Sequence, residues 1–293
     1  MTPVARAVVT GANTGLGLAT TRALVAAGMP VTMGVRSTDR GEAAAAAVRR
    51  SVPAADLVVR RIDLADLDSV RQFADRTVEP VSVLVCNAGV MLVPEQSLTA
   101  DGFEMHWGVN FLGHYLLTGL LLPALTDAAR VVSLSSIAHR SAGRFDRECG
   151  HGSDYTPGGA YGQSKLCTLL FSLELDRRLR SSGSAVKAVA AHPGWSATDE
   201  RAPRERGDEP GLGLVFARRI SQLLGSSPEH GALSQVHAAI GAGVAGGEFW
   251  GPSMLIRGKP HRATVSAGAR RRDDAAFLFE LAAELTGCEI PPR

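Results

Sequence analysis

The chain has 293 residues, 45% hydrophobic and 20% charged, and its 15 prolines and 32 glycines gather in no linker-like tract, which suits one large α/β domain over residues 1–293 better than two separate cores. With 31 Lys+Arg against 29 Asp+Glu the net charge is +2, so no broad basic field advertises nucleic acid as a partner. The arginine-rich patches at residues 201–206 and 270–272 carry acidic neighbours and read as solvated loops.

In chain order, residues 4–10 form a strand that runs into Gly11-Ala12-Asn13-Thr14-Gly15-Leu16-Gly17, followed by a helix over 18–27 that Gly28 closes. Strand, glycine turn and helix together put a dinucleotide pyrophosphate on a helix N-terminus, although the spacing is Gly-x-x-x-Gly-x-Gly and not Gly-x-Gly-x-x-Gly. A second strand, 30–35, ends at Arg36. No carboxylate stands there to hold a ribose 2′-hydroxyl, and a guanidinium suits a 2′-phosphate, so the cofactor expected is NADP (NADPH), with Arg40 as a second contact. A third strand, 56–62, ends in Asp63-Leu64, and a fourth, 81–86, in Asn87-Ala88-Gly89. This series predicts a Rossmann-type, doubly wound parallel sheet of about seven strands with helices on both faces.

The apolar tract 107–125 is interrupted by Asn110, His114, Gly108, Gly113 and Gly119, and is expected to be a buried helix and no membrane span. No signal peptide is read ahead of Val4, and Cys86, Cys149, Cys167 and Cys288 form no C-x-x-C pair, so the protein is expected to be cytoplasmic with reduced thiols. A fifth strand, 129–134, delivers Ser135 and Ser136. After it comes an insert with His139, Arg140, His151, Asp154 and Tyr155, whose histidines are expected to be solvated.

Tyr161 and Lys165 then stand one helical turn apart, with Thr168 and Ser172 on the same polar line and Leu166, Leu169, Leu170 and Leu173 as a separate apolar stripe. A tyrosine of ordinary pKa about 10 becomes a usable acid/base when an ammonium beside it favours the phenolate. Tyr155 is no rival, because Gly159 and no lysine stands four residues on. A sixth strand, 185–191, ends in His192-Pro193-Gly194-Trp195-Ser196-Ala197-Thr198. The charged, Gly/Pro-rich segment that follows and an amphipathic run at 212–224 lead to a helix at 229–242, a final edge strand at 249–252, and a last helix at 273–286 capped by Gly287. That last helix is expected to pack locally or against another subunit, which leaves a homo-oligomer open.

The glycine loop, Asp63-Leu64, Asn87-Ala88-Gly89, Asn110, the serine pair, Tyr161 to Lys165 and Pro193-Gly194 fall in an order that resembles the short-chain dehydrogenase/reductase family, over residues 4 to about 198. Asp66 to Phe73, Asn110 to Leu117 and Tyr161 to Cys167 are most similar to its retinol dehydrogenase, WW-domain oxidoreductase and protochlorophyllide reductase branch, here as a soluble, catalytic-domain-only relative. The resemblance implies that Gly11, Asn13, Thr14, Gly15, Leu16, Gly17, Asp63, Leu64, Asn87, Ala88 and Gly89 hold the cofactor, with Pro193-Gly194 against the nicotinamide and Thr198 near its carboxamide. It implies that Ser136, with Ser135 as the fallback, positions a substrate oxygen that Tyr161 protonates. Lys165 would tune Tyr161 and hold the nicotinamide ribose, and Asn110 would anchor a water that links Lys165 to solvent. Trp195 is a candidate pocket wall, a substrate lid is expected at about 196–228, and no metal is implied. Three functions follow: hydride transfer between NADPH and a carbonyl or alcohol of a small apolar substrate, C=C reduction as in protochlorophyllide reductase, or a non-catalytic NADP sensor. Retention of Asn110, Ser136, Tyr161 and Lys165 disfavours the last.

Overall fold

The computed structural model describes residues 4–148, 154–194, 227–254 and 258–290. Within them, eight strands form a single sheet: β1 (Arg6–Thr10), β2 (Val31–Val35), β3 (Leu57–Arg61), β4 (Val81–Cys86), β5 (Leu125–Leu134), β6 (Lys187–Ala191), β7 (Phe249–Pro252) and β8 (Pro260–Arg262). Their order is β3-β2-β1-β4-β5-β6-β7-β8. Every pairing from β3 to β7 is parallel, and β8 alone runs antiparallel, against β7.

Alternation along the strands feeds two cores. Ala7 and Val9 of β1 face α1 (Gly15–Ala26), α2 (Thr38–Ser51) and α7 (Pro228–Ile240), while Val8 joins the layer of α3 (Leu67–Asp75), α5 (Gly113–Leu121), α6 (Pro157–Ser181) and α8 (Arg272–Thr286). Both faces of the central strands are covered, so β1, β2 and β4 are almost wholly buried, as central parallel strands are. The second layer is also bound by aromatic rings. Trp107, Phe111, Tyr115 and Phe279 stand in sequence at centroid separations of 5.4, 6.1 and 5.4 Å, and Phe171 of α6 lies 6.0 Å from Phe111. Burying each such side chain contributes about 1.5–3 kcal/mol. Tyr115 Oη also donates to the carbonyl of Cys288 at 3.2 Å. The last helix therefore packs on its own domain.

Two local expectations are corrected. β7 is not the sheet edge, because the three-residue β8, too short and polar to show a strand pattern, covers it. The tract at 107–125 is not one regular helix: a short α4 (Met105–Trp107) passes through a π-helical turn, Gly108–Leu112, into α5, and its last residue opens β5. Among the described residues, no helix is long and apolar enough to cross a membrane.

The chain builds β2 and β3 on one side of β1 and then places β4 on the other. That reversal opens a crevice at the carboxyl ends of β1 and β4, where such sheets bind ligands.

Candidate active site

The glycine loop leaves β1 at that crevice. Gly11 and Gly15 take positive φ, 65° and 51°. A Cβ on Gly17 would lie 2.2 Å from the carbonyl oxygen of Gly11 and 2.5 Å from Asn87 Nδ2, so only glycine lets α1 start this close to the loop. Asn87 fastens the loop from β4, its Nδ2 donating to the carbonyl of Thr10 at 2.8 Å, and Thr10 Oγ1 accepts from the amides of Asn87 and Ala88, both at 3.0 Å. From α7, buried Gln235 donates to Asn87 Oδ1 at 3.2 Å and to the carbonyl of Leu16.

The helix that begins here is left open at its N-terminus. Thr14 makes no side-chain cap, and the first turn of α1 holds no acid, whereas α2 and α3 are capped by Ser37 and Asp66 and start with Asp39 and Asp68. Free amides at the positive end of a helix dipole suit an anion, which is the chemistry a pyrophosphate requires. Asn13 is half-buried and Thr14 exposed at this turn. Arg36, next to the end of β2, is exposed, and among the described residues no carboxylate pairs with it. Asp63 Oδ1 is engaged by the amide of Ala65 at 3.1 Å, and Leu64 is buried. Pro193 and Gly194 follow β6, with the Gly194 amide donating to His192 Nδ1 at 3.2 Å. Trp195, Thr198 and the expected lid as far as residue 226 lie outside the described residues, as do Cys149 and His151.

The chemistry-bearing side chains meet across β5 and α6. Thr156 caps α6 and Pro157 opens it, which places Tyr161 near its start. Tyr161 is half-buried, and Lys165, one turn on, is 5% exposed with its Nζ 5.7 Å from the Tyr161 ring centroid. Lys165 Nζ donates to the carbonyl of Leu134 at 2.9 Å, so the end of β5 holds the ammonium in place. Burial pulls the Lys165 ammonium down to about 8, leaving it charged at neutral pH.

The serine pair divides into two roles. Ser135 is buried and donates to the carbonyl of Lys165 at 2.8 Å, which makes it a tie between β5 and α6. Ser136 is half-exposed and starts a 3-10 turn, Ile137–Arg140, with its Oγ accepting from the Ala138 amide at 3.2 Å. That turn backs onto Gly162, where a Cβ would come within 3.1 Å of the Ala138 carbonyl, so the turn that begins at Ser136 packs on the start of α6, the segment that carries Tyr161. His139 within the turn is buried, with Nδ1 on the carbonyl of Ser136 at 2.6 Å, contrary to the expected solvated histidine. Its sequence context was polar, but the turn folds it under β7 against Phe249.

Asn110 lies in the π-turn, a local geometry that re-aims one residue of a helix. Its Oδ1 accepts from the Val90 amide at 2.7 Å, and its Nδ2 donates to the Val90 carbonyl at 3.0 Å and to Ser164 Oγ at 2.9 Å. The buried amide therefore has protein partners and clamps the strand end that carries Gly89. A Cβ on Gly89 would sit 2.8 Å from Asn110 Oδ1 and 3.4 Å from Lys165 Nζ.

Two networks escape a reading of the sequence. In the first, His114 Nδ1 donates to the carbonyl of Asn110 at 3.2 Å, which leaves Nε2 to accept from Thr10 Oγ1 at 2.8 Å. One ring thereby ties the cofactor loop to the Asn110 turn, and its only sequence signal is a histidine one turn after Asn110 in an apolar run. Burial, with a smaller contribution from the Lys165 charge, lowers His114 to about 4, and burial likewise lowers His192 to about 4.

Unfolded histidine protonates near pH 6.5 and these two only near 4, so the stability they carry is complete above about pH 6.5 and lost as pH falls towards 4, by roughly 3 kcal/mol each. Urea midpoints that drop steeply between pH 7 and pH 5 are the expected result. A flat profile over that interval would show that the two rings are not neutral in the folded protein.

The second network joins the insert to α4. Glu104 accepts from the amides of His106 and Trp107 and from His106 Nδ1 at 2.8 Å. Burial raises that carboxyl, and the hydrogen bonds of His106 and Trp107 outweigh it, leaving Glu104 below the ordinary carboxylate range. His106 Nε2 accepts from the Val93 amide at 3.2 Å, and Tyr155 Oη donates to the Val93 carbonyl at 2.6 Å. The His106 ring lies 6.2 Å from the Tyr161 ring, edge-on, and 6.4 Å from Tyr155. Next to this anchored residue, Leu92 has φ 52°, the single positive φ of a non-glycine among the described residues, a strain of roughly 1–3 kcal/mol.

A doubly wound sheet with an anion-ready glycine loop, and with a serine, a tyrosine and a buried lysine at the carboxyl ends of its strands, defines a nicotinamide-dependent oxidoreductase. Residues 5–209 match the family model described as short chain dehydrogenase, and the chain belongs to that family. It is 36% identical over 289 residues to retinol dehydrogenase 12 of Mus musculus, covering 96% of this chain and 86% of the relative. To retinol dehydrogenase 11 of Homo sapiens it is 37% identical over 292 residues, covering 97% and 86%. A solved crystal structure of a protein from Mycobacterium Paratuberculosis is 40% identical, with a TM-score of 0.80 over 99% of this chain and 97% of that one. These likenesses place the chain near the retinol dehydrogenases of the family.

Proposed function

We propose that the protein is an NADPH-dependent carbonyl reductase or, in reverse, an alcohol dehydrogenase, acting on a small apolar substrate. The observation that supports this is the packing of the turn that begins at Ser136 on the start of α6, which carries Tyr161 and Lys165, with Ser135 tying strand to helix behind it. The open α1 N-terminus and the residues Gly11, Gly15, Gly17, Asn87 and Gly89 would hold the dinucleotide, with Arg36 on its 2′-phosphate and Pro193-Gly194 beside the nicotinamide. When bound, reduced nicotinamide supplies hydride to the carbonyl carbon.

The chain's own groups do the rest. Ser136 Oγ donates to the substrate oxygen and holds it beside Tyr161 Oη, which gives up its proton as negative charge develops there. Lys165, charged below about pH 8, favours phenolate on Tyr161 after the transfer. The Leu134 carbonyl keeps the ammonium from drifting away from the ring.

Purified protein mixed with NADPH or NADH, and with aldehydes, ketones, quinones or enones, tests the reading through loss of nicotinamide absorbance. Carbonyl turnover that prefers NADPH is expected, and turnover of enones alone would favour C=C reduction. In Arg36→Asp, a carboxylate facing the 2′-phosphate should weaken NADPH by on the order of a hundredfold and NADH far less. Equal loss for both cofactors would remove Arg36 from the site. The cytoplasm is the compartment we propose, on the spacing of the cysteines.

A further inference from the structure

We infer that His139 and His192 are paired positioning residues of the reaction, seated together on Phe249, His139 setting the serine that holds the substrate oxygen and His192 setting the turn beside the nicotinamide. The inference rests on the carbonyl reading above.

Both rings are fixed by one strand. His139 is 1% and His192 2% exposed. They come from different elements, the turn after β5 and the end of β6, and both stand against Phe249 of β7, at centroid separations of 5.5 and 5.1 Å. β7 also carries Gly251, where a Cβ would collide with His192 Nε2, and the Trp250 carbonyl, which accepts from the His192 amide at 2.8 Å.

The partners then assign the tautomers. The Ser136 carbonyl can only accept, so His139 Nδ1 carries the proton that reaches it at 2.6 Å, beside the His139 amide at 3.1 Å. The Gly194 amide can only donate, so His192 Nδ1 is bare and its proton is on Nε2. Burial keeps both rings below the ordinary histidine value, so both are neutral at neutral pH and these bonds stand. His139 Nε2 is buried and has no partner among the described residues, which costs stability that an apolar side chain in the same place would keep. What the ring adds is the bond to Ser136. With its carbonyl held by His139 and its Oγ accepting from the Ala138 amide, Ser136 keeps its hydroxyl proton to donate. Pro193 brings no amide, so the Gly194 N–H is the first donor after β6, and His192 ties it down where Gly194 turns at φ 75°. The two bonds therefore govern different steps: one holds the serine on the substrate oxygen, the other holds the turn on the cofactor.

The test replaces each histidine by leucine, which keeps an apolar body on Phe249, and by asparagine, whose amide stands near the Nδ1 position and can donate or accept there. NADPH affinity is read by calorimetric titration, and kcat and KM from turnover of an aldehyde by the purified protein. His139→Leu should lower kcat about tenfold or more while the NADPH dissociation constant changes far less, because a small misplacement of a group that orients the substrate acts on the chemical step. His192→Leu should raise the NADPH dissociation constant by about five- to tenfold and lower kcat far less. Asparagine at either position should recover most of the loss. A purely structural role would lower the melting temperature of all four variants without this split. Should a leucine variant not fold, glutamine takes its place in the comparison, since its amide reaches towards Nε2 and not Nδ1. Equal loss of kcat and of NADPH affinity in both variants, no loss in either, or asparagine no better than leucine, overturns the inference alone. If the unaltered protein turns over no carbonyl compound, the reading on which it rests is overturned and the inference falls with it.

Discussion

Tyr161→Phe is expected to lower carbonyl turnover by about 10²–10⁴-fold, the range that general acid catalysis supplies, while NADPH binding and folding persist. The change removes one hydroxyl and keeps the ring, so the edge contact with His106 and the approach of Lys165 survive. The nicotinamide would still be held from the glycine loop, Asn87 and the strand ends. The loss should therefore appear in kcat and kcat/KM together, as it does when an interaction made only in the transition state is removed. Turnover unchanged in this variant would mean that another group delivers the proton, and the reading of α6 as the catalytic helix would fail.

Gly17→Ala should act through the cofactor and not through the proton. Its Cβ would meet the Gly11 carbonyl at 2.2 Å and Asn87 Nδ2 at 2.5 Å, and the first of these is backbone that cannot swing aside. Either α1 retreats from the loop or the loop opens, and in both cases the amides of the first turn leave the position a pyrophosphate needs. Overpacking of this kind costs about 1–3 kcal/mol and sometimes more, so the NADPH dissociation constant should rise by at least about tenfold and the melting temperature should fall. Calorimetric titration with NADPH checks the first and a thermal scan the second. An affinity equal to that of the unaltered protein would show that α1 does not hold the cofactor.

Much of this architecture is legible in the residues because local signals agree. β-branched runs end at Thr10, Val35 and Cys86, each followed by glycine or a polar group, and that marks the strands and the edge where a ligand would bind, while the strand order comes from the pairings. The Tyr161 to Lys165 spacing needs only helix geometry. What stayed hidden depends on contacts between segments far apart in the chain. Nothing near Ser135 or Ser136 says which one turns towards the cleft; it is decided by the carbonyl of Lys165, 30 residues on. The π-turn at Asn110 has no periodicity of its own, and His106, just ahead of the apolar tract, carries no local signal until Val93 and Tyr155 are brought to it. Likewise β8 exists because β7 offers an unpaired edge, not because Pro260–Arg262 favours a strand.

The central claim is that hydride goes to a carbonyl carbon whose oxygen Tyr161 protonates. An α,β-unsaturated aldehyde incubated with NADPH carrying deuterium at the transferred position of the nicotinamide tests it directly, since one molecule offers both reactions. Mass and NMR analysis of the product should find a single deuterium on the carbinol carbon of an allylic alcohol, with the double bond intact. Deuterium on the β-carbon of a saturated aldehyde would contradict it.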